Sequence, residues 1–175
     1  SAVRIFRSPR DIVWGRGSIA HLESIRGKRA LIVTDPVMTK LGGAARARDY
    51  FRKGGLEVRT FDEVEPEPSI QTVMKIVTEN KDFNPDVIVG MGGGSAIDAS
   101  KGFRVFFEHP QLIFEDVHAL NGPPKASIPP FKKTTHVAIS STSGSGSDAS
   151  HVCVLTDPAI HAKCPIVHPE LKPNM

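Results

Sequence analysis

The chain is poor in cysteine, in aromatic residues and in long hydrophobic runs. Its two cysteines, Cys153 and Cys164, cannot build a disulfide framework, which favours a reducing compartment and predicts a cytoplasmic protein. No apolar run approaches the length that spans a bilayer, and the first residues carry no signal-peptide core. We therefore expect no membrane partner.

Charge of one sign is also scarce, because the net charge is only +3 over 175 residues. Basic residues gather on one predicted helix, between Arg46 and Lys53, and at Lys132 and Lys133, and we interpret both groups as solvated faces. One Trp and one Tyr provide no aromatic platform on which bases could stack. The composition argues against a nucleic-acid partner.

What the chain does contain is a regular alternation of strand and helix patterns. Predicted strands cover residues 29–34, 57–61, 86–89 and 135–139, and predicted helices cover 43–53, 69–81 and 95–107. Short strands are also predicted at 3–6 and 11–14, and a helix capped by Ser18 is predicted to run through Ile25. The pattern further predicts one helical turn within 112–120 and a hairpin of strands 150–156 and 163–167. The alternation predicts one α/β domain over residues 1–175, with a Rossmann-like parallel sheet, helices on both faces and a β-hairpin near the C-terminus.

The segment after the third main strand carries the strongest chemical signal. Gly90-Met91-Gly92-Gly93-Gly94-Ser95 leads directly into a helix. Because glycines admit a ligand close to the backbone and the first N–H groups of a helix are unpaired, the segment predicts a phosphate-binding loop rather than a plain turn. It lacks the lysine of a Walker loop, and Ser95 stands where the dinucleotide fingerprint has its third glycine, so it is an adapted phosphate loop.

Two other features follow predicted strands. Asp35 could accept hydrogen bonds from both ribose hydroxyls of an adenosine, or it could be an ordinary strand-ending aspartate before proline, and its position leaves both open. Residues 140–147 form a second loop of small hydroxyl residues and glycines. Ligands bind parallel sheets at the carboxyl ends of the strands, so we expect both features to meet the glycine loop there.

Other chemistries find less support. Residues 143–146 approach a nucleophile-elbow spacing, but the first glycine of that motif is Ser143 and no base can be placed, which argues against a serine hydrolase. His161, Cys164 and His168 have a spacing that invites a metal, but they lie on a predicted turn and strand without a matching fourth ligand. We predict neither catalytic nor metal-ligating residues within this chain.

Asp98 and Lys101 lie in the first turns of the helix that follows the glycine loop. One interpretation is a first-turn acid stabilised by the helix dipole and a solvated lysine. The other is that Asp98 binds hydroxyls of a ribose or of a substrate.

Taken in order, these motifs resemble those of the iron-containing (group III) alcohol dehydrogenase family, in the dehydroquinate synthase-like superfamily. Residues 92–101 match its Gly-Gly-Gly-Ser-x-x-Asp-x-x-Lys signature, and residues 139–150 are similar to its second loop, Pro-Thr-Thr-x-Gly-Thr-Gly-Ser-Glu-Val-Thr. Residues 14–17, 32–35 and 155–163 also fit. The resemblance implies an NAD(P)- and metal-dependent alcohol dehydrogenase or aldehyde reductase, acting on a small alcohol or aldehyde as a homo-oligomer.

The resemblance assigns cofactor binding to ten residues. By this resemblance, the glycine-loop residues hold the pyrophosphate, and the hydroxyl loop lies against the adenosine and its phosphates. Asp35 selects NAD over NADP, and Asp98 and Lys163 lie toward the ribose and nicotinamide. The ten residues are Asp35, Gly92, Gly93, Gly94, Ser95, Ser141, Thr142, Ser145, Asp98 and Lys163.

The chain also departs from the family pattern. Ser140-Ser141-Thr142 replaces Pro-Thr-Thr, Asp148 replaces a glutamate, and Glu67 stands where the family often has asparagine. The first change keeps the hydroxyl chemistry. An extra carboxylate at Glu67 could weaken the binding of a dinucleotide.

The resemblance further implies an all-helical C-terminal domain that supplies one Asp and three His for Fe²⁺ or Zn²⁺, beyond residue 175. We therefore expect residues 1–175 to be a fragment of a two-domain enzyme that does not turn over alone. The alternative is a nucleotide-binding or regulatory module without catalysis. A lyase of the dehydroquinate synthase type is disfavoured, because its substrate-binding carboxylates and lysines are not apparent.

Overall fold

In the computed structural model, residues 8–175 are described, and the strand predicted at 3–6 lies outside them. The main elements in chain order are β1 (Arg29–Thr34), α1 (Pro36–Lys40), α2 (Gly43–Lys53), β2 (Glu57–Phe61), α3 (Ile70–Asn80), β3 (Val87–Gly92), α4 (Gly94–Glu108), α5 (Phe114–Val117), β4 (Thr135–Ser140), β5 (Val152–Asp157) and β6 (Ala162–Val167). Two 3₁₀ helices, Ser18–Ser24 and Pro169–Leu171, complete the list. The predicted alternation of strands and helices is confirmed.

The four strands β2, β1, β3 and β4 form, in that order, an all-parallel sheet. In the register of the central pair, Ala30 lies beside Val87 and Thr34 beside Met91. Strand β3 is buried along its whole length, which explains its continuous run of apolar and glycine residues.

Helices cover both faces of the sheet, as predicted. Alternate strand residues point to opposite faces, so Ile32 packs with Phe51 of α2, whereas Leu31 packs with Ile76 of α3 and Phe103 of α4. The 3₁₀ helix Ser18–Ser24 joins the α2 side through the buried Leu22.

The antiparallel hairpin β5–β6 packs on the outer side of α4. Its buried residues Cys153, Leu155 and Ile166 form a third apolar cluster with residues of α4 and α5. A Cβ atom at Gly102 would lie 3.0 Å from the side chain of Leu155, so this glycine allows the hairpin to approach α4 closely.

Three local predictions differ from the structure. Within the described residues no strand is formed at 11–14; the backbone N–H of Asp11 donates to the carbonyl of Asn174, and Trp14 is 81% exposed. The helix predicted after Ser18 is a 3₁₀ helix that follows the left-handed Gly17 and has no side-chain cap. Helix α1 was not predicted, although an aspartate followed by proline is a common helix start.

Among the described residues, no helix is both long and apolar enough to cross a membrane.

Candidate functional site

The strand order creates a crevice at the carboxyl ends of β1 and β3. From β1 the chain passes through α2 to β2 on one side, whereas β3 and β4 lie on the other side. The loops after β1 and β3 therefore diverge, and such a switch point is where open α/β sheets bind their ligands. Asp35 follows β1, and the predicted phosphate loop follows β3.

The reason why a glycine is needed differs from one position of this loop to the next. Gly92 has φ +140°, and a Cβ there would lie 2.7 Å from Oδ2 of Asp35. At Gly90 a Cβ would lie 2.3 Å from Oγ of Ser100, so this glycine serves the packing of α4 on the sheet. At Gly93 a Cβ would meet only the Thr142 side chain, at 3.7 Å. The backbone at Gly93 is thus the point where an outside group can approach most closely.

Helix α4 begins directly after Gly93, and no side chain caps its first N–H groups. Unpaired N–H groups and the helix dipole favour an anion at this end. The loop and helix start fit a phosphate, and a side chain at Gly93 would fill the space it needs.

The hydroxyl loop after β4 lies against the glycine loop, as expected. The backbone N–H of Ser141 donates to the carbonyl of Gly92 at 2.9 Å. A Cβ at Gly94 would lie 3.0 Å from Cβ of Ser145. Ser141, Thr142 and Ser145 are all exposed, so their hydroxyls are available at the rim of the crevice.

Asp35 has the structural, strand-ending role considered for it, and its carboxylate also lies beside the glycine loop. Its Oδ1 accepts a hydrogen bond from the backbone N–H of Met38 at 2.9 Å and caps α1. Its Oδ2 is the atom nearest to the Cβ position of Gly92, beside the phosphate loop. The carboxylate therefore contributes to structure and also places negative charge in the crevice.

Lys101 is not the solvated residue of the first interpretation. It is fully buried, and its Nζ donates to the backbone carbonyls of Ser150 at 2.9 Å and Val152 at 2.8 Å. Burial lowers the pKa of Lys101, and the negative charge of nearby Asp98 opposes this shift. The lysine anchors the start of the hairpin to α4.

Asp98 is also buried, and its Oδ2 accepts the backbone N–H of Val154 at 3.1 Å. Burial raises the pKa of Asp98, and the hydrogen bond from Val154 and the charge of Lys101 oppose the rise. Its Oδ1 has no hydrogen bond of ordinary geometry, although the Ser147 hydroxyl lies close enough to lower the pKa.

Asp98 lines a small cavity of about 140 Å³ between the helix α4 and the hairpin. Ser95 and Lys163 line it as well, so three of the ten predicted residues meet here, next to the crevice that holds the other seven. Glu67 completes this cavity: its backbone N–H donates to Oγ of Ser95, and its carboxylate binds Nζ of Lys163. In the sequence, Glu67 stands out only as a departure from the family pattern, because its partners Ser95 and Lys163 lie 28 and 96 positions away.

The sequence spacing of His161, Cys164 and His168 does not produce a metal site. Cys164 is buried in the apolar cluster of the hairpin, and Nδ1 of His168 accepts the backbone N–H of Glu170. Within residues 8–175, no group of three or more His, Cys, Asp or Glu side chains is arranged to hold a metal ion. The described residues therefore do not fit a resident metal.

The fold and the crevice together define an α/β domain of the parallel, open-sheet class, with a ligand-sized crevice at its switch point. The family profile described as iron-containing alcohol dehydrogenase matches residues 9–175. The chain belongs to the iron-containing alcohol dehydrogenase family, which confirms the resemblance drawn from its motifs.

Individual relatives agree with this assignment. The chain is 35% identical to the NADPH-dependent butanol dehydrogenase of Clostridium saccharobutylicum, with 97% of this chain and 43% of the relative covered. It is 37% identical to the bifunctional aldehyde-alcohol dehydrogenase AdhE of Escherichia coli K12, with 95% and 20% covered.

A solved structure, the iron-containing alcohol dehydrogenase of Thermococcus thioreducens, superimposes with a TM-score of 0.89 at 33% identity, over 97% of this chain and 45% of the other. The chain thus spans less than half the length of these relatives.

Proposed function

We propose that this chain is the NAD(P)-binding part of a longer, metal-dependent alcohol dehydrogenase or aldehyde reductase. The observation that carries the proposal is the convergence of Asp35, the uncapped start of α4 and the exposed hydroxyl loop at one switch point. Relatives named as alcohol and butanol dehydrogenases, one of them NADPH-dependent, support the reaction class.

In this proposal the chain's own groups bind and orient the dinucleotide. The open backbone at Gly93 and the first N–H groups of α4 hold the pyrophosphate, and Ser141, Thr142 and Ser145 line the adenosine side. Oδ2 of Asp35 accepts the ribose hydroxyls. The nicotinamide ring accepts or donates the hydride when it is bound.

Asp98 and Lys163 belong to the ribose and nicotinamide side of this proposal. Asp98 lines the small cavity, and a carboxylate there suits a hydroxyl donor. Lys163 offers a cation at the same cavity once its pairing with Glu67 is broken.

The remainder of the enzyme is proposed to supply Fe²⁺ or Zn²⁺, because the described residues hold no suitable ligand cluster. The 175-residue chain alone is then inactive. The substrate is a small alcohol or aldehyde, and the full-length protein works as a homo-oligomer in the cytoplasm.

The carboxylate of Asp35 is proposed to favour NAD over NADP, since it would repel a 2′-phosphate. The test is calorimetric titration of the full-length protein with NAD⁺ and NADP⁺, repeated with Asp35→Asn and Asp35→Gly. Asparagine keeps an oxygen acceptor for the N–H of Met38 and removes only the charge, whereas glycine removes the cap as well.

We expect the unmodified protein to bind NAD⁺ at least about tenfold more tightly than NADP⁺, and both variants to lose most of this preference. Absence of binding to either dinucleotide would overturn the proposed function. Binding of NAD⁺ without turnover of any short-chain alcohol, with Fe²⁺ or Zn²⁺ added, would favour the nucleotide-binding module without catalysis.

A further inference from the structure

A second cavity, of about 490 Å³, lies at the opposite edge of the sheet from the crevice. Its lining includes Thr134 and Thr135, where β4 begins, whereas the hydroxyl loop follows the end of β4. Six residues of strand separate these edges by roughly 20 Å. The cavity is therefore separate from the proposed cofactor site.

The cavity gathers much of the positive charge of the chain. Its described lining contains five cationic side chains and one carboxylate, Glu170, a net of four positive charges in a chain whose formal net charge is +3. The five cations are Arg10, Arg104, Lys132, Lys133 and Lys172. The sequence alone predicts only a solvated face at Lys132 and Lys133.

Two of these cations have partners, and three do not. Arg10 pairs with Asp11 at 3.0 Å, and Nε of Arg104 lies 3.7 Å from a carboxylate oxygen of Glu108. In the part of the chain that the structure describes, Lys132, Lys133 and Lys172 make no ion pair. Among the described residues, Lys132 and Lys172 therefore carry positive charge in the lining without an ion pair, whereas Nζ of Lys133 lies 4.2 Å from the centre of the Phe107 ring.

The wall that carries Lys132 and Lys133 is held by hydrogen bonds to Glu108, whose side chain is 3% exposed. The carboxylate of Glu108 accepts the backbone N–H groups of Lys132 at 2.8 Å, Lys133 at 2.9 Å and Thr134 at 3.0 Å. Burial would raise the pKa of Glu108, but these hydrogen bonds outweigh it and lower the pKa. The loop backbone is thus fixed before any ligand arrives, which reduces the ordering cost of binding.

Arg104 adds a buried, oriented cation to the same wall. Its side chain is only 5% exposed, and its guanidinium donates to the carbonyls of Thr134 at 2.8 Å and Glu170 at 2.9 Å. It also lies 4.3 Å from the centre of the Phe131 ring. These contacts hold the guanidinium of Arg104 in place, so that its positive charge stays at the wall of the cavity.

We propose that this cavity is a second anion-binding site, for a small polyanion of the phosphate-ester class. Its volume is in the range of small-molecule pockets, about 300–1,000 Å³. Ammonium groups on flexible stems suit several phosphate oxygens, and the hydroxyl of Thr135 offers a further hydrogen bond. One concave cavity, without an extended basic stripe, fits a small molecule better than a nucleic acid.

The test is calorimetric titration of the full-length protein with inorganic pyrophosphate, in the presence of saturating NAD⁺ so that the glycine loop is filled. The cavity variant is Lys132→Ala combined with Lys172→Ala. The matched control is Arg46→Ala combined with Arg52→Ala, which removes the same charge from exposed positions of α2, far from the cavity lining.

We expect one pyrophosphate per chain, with affinity at least about tenfold weaker in the cavity variant and nearly unchanged in the α2 variant. Equal weakening in both variants, or unchanged affinity in the cavity variant, would overturn the proposal. Absence of saturable binding at 0.1 M salt would do so too. If the protein does not bind NAD⁺, pyrophosphate also enters the glycine loop. The dependence of pyrophosphate affinity on Lys132 and Lys172 still reports binding in the cavity. The two proposals can therefore fail separately.

Discussion

Nζ of Lys163 lies 2.6 Å from Oε1 of Glu67, across 96 positions of sequence. The same glutamate donates its backbone N–H to Oγ of Ser95, and its carbonyl accepts the hydroxyl of Thr156. Glu67 thus connects the start of α4 to both strands of the hairpin. It does so with φ +57°, a left-handed conformation that costs a non-glycine residue roughly 1–2 kcal/mol.

Replacing Glu67 by asparagine should improve cofactor binding without destabilising the fold. Asparagine tolerates left-handed φ better than glutamate, and the lost ion pair is exposed and contributes at most about 1 kcal/mol. Removal of the carboxylate frees Lys163 and reduces repulsion of a dinucleotide. We expect an unchanged or slightly higher Tm and a Kd for NAD⁺ lowered about 3- to 10-fold.

Glu67→Gln is the control, because it removes the charge and leaves the backbone strain. It should match the asparagine variant in NAD⁺ affinity and fall below it in Tm. Weaker NAD⁺ binding in both variants would contradict the proposed effect of the charge.

The glycine loop allows packing and binding roles to be separated by two alanine substitutions. Gly93→Ala places a methyl in open space at φ −76°, so the Tm should stay within about 2 °C while NAD⁺ affinity falls at least about tenfold. Gly90→Ala forces a methyl to within 2.9 Å of Cα of Ile97 and should destabilise the fold by about 1–3 kcal/mol. Thermal melts and titrations of both variants check this; normal NAD⁺ binding by Gly93→Ala would rule out close approach of the pyrophosphate.

Lys101→Met should destabilise the protein by about 3–5 kcal/mol. The change leaves the carbonyls of Ser150 and Val152 without their donor and removes the positive charge near buried Asp98. Urea unfolding of the variant measures the loss. Lys40→Met, at an exposed position, is the control and should stay within about 0.5 kcal/mol of the parent protein.

Adding Asp98→Asn to Lys101→Met should recover part of this loss, because the buried carboxylate is then neutral. A double variant as unstable as the sum of the two single variants would show that the residues act independently.

The buried His136 should make stability depend on pH below neutrality. Its Nε2 lies 2.8 Å from Oγ of Ser100, and burial, together with the positive charges of Arg104 and Lys101, lowers the pKa of His136 well below its usual range. The folded protein therefore keeps this imidazole neutral, while the unfolded chain binds a proton below about pH 6.5. Above about pH 6.5, His136 therefore does not reduce the free energy of unfolding. As the pH falls below this value, the free energy of unfolding decreases by up to about 1.4 kcal/mol per pH unit.

Urea unfolding between pH 7.5 and 5.5 measures this slope, and His136→Gln should reduce it. Partial burial lowers the pKa of His168 as well, so that residue adds a slope of the same sign in both proteins. An equal slope in the parent and in His136→Gln would show that His136 is not responsible.

Much of the fold could be predicted because its signals are local. The apolar run of β1, the alternation of β2 and the Ser69 cap of α3 each depend on a few neighbouring residues, and all three are confirmed. The strand predicted at 11–14 is not formed in the part of the chain that the structure describes, where the backbone N–H of Asp11 donates to the carbonyl of Asn174.

The site was predictable in its chemistry but only partly in its arrangement. The glycine and hydroxyl loops could be recognised from composition and from their positions after strands. Lys101 could not, since the same lysine is solvated on an isolated helix and fully buried once the hairpin packs on α4. Likewise, nothing local connects Glu67 to Lys163.

By itself the sequence determined the order of strands and helices, the position of the glycine loop after β3 and the family, because each depends on residue types at short spacing. The tertiary structure decided that Asp35 lies beside Gly92, that Lys101 is buried and that three lysines from two segments surround one cavity. These relationships depend on the strand order β2-β1-β3-β4 and on packing between distant segments. Residue spacing along the chain does not specify those contacts, because they form only when the whole domain buries its apolar surface.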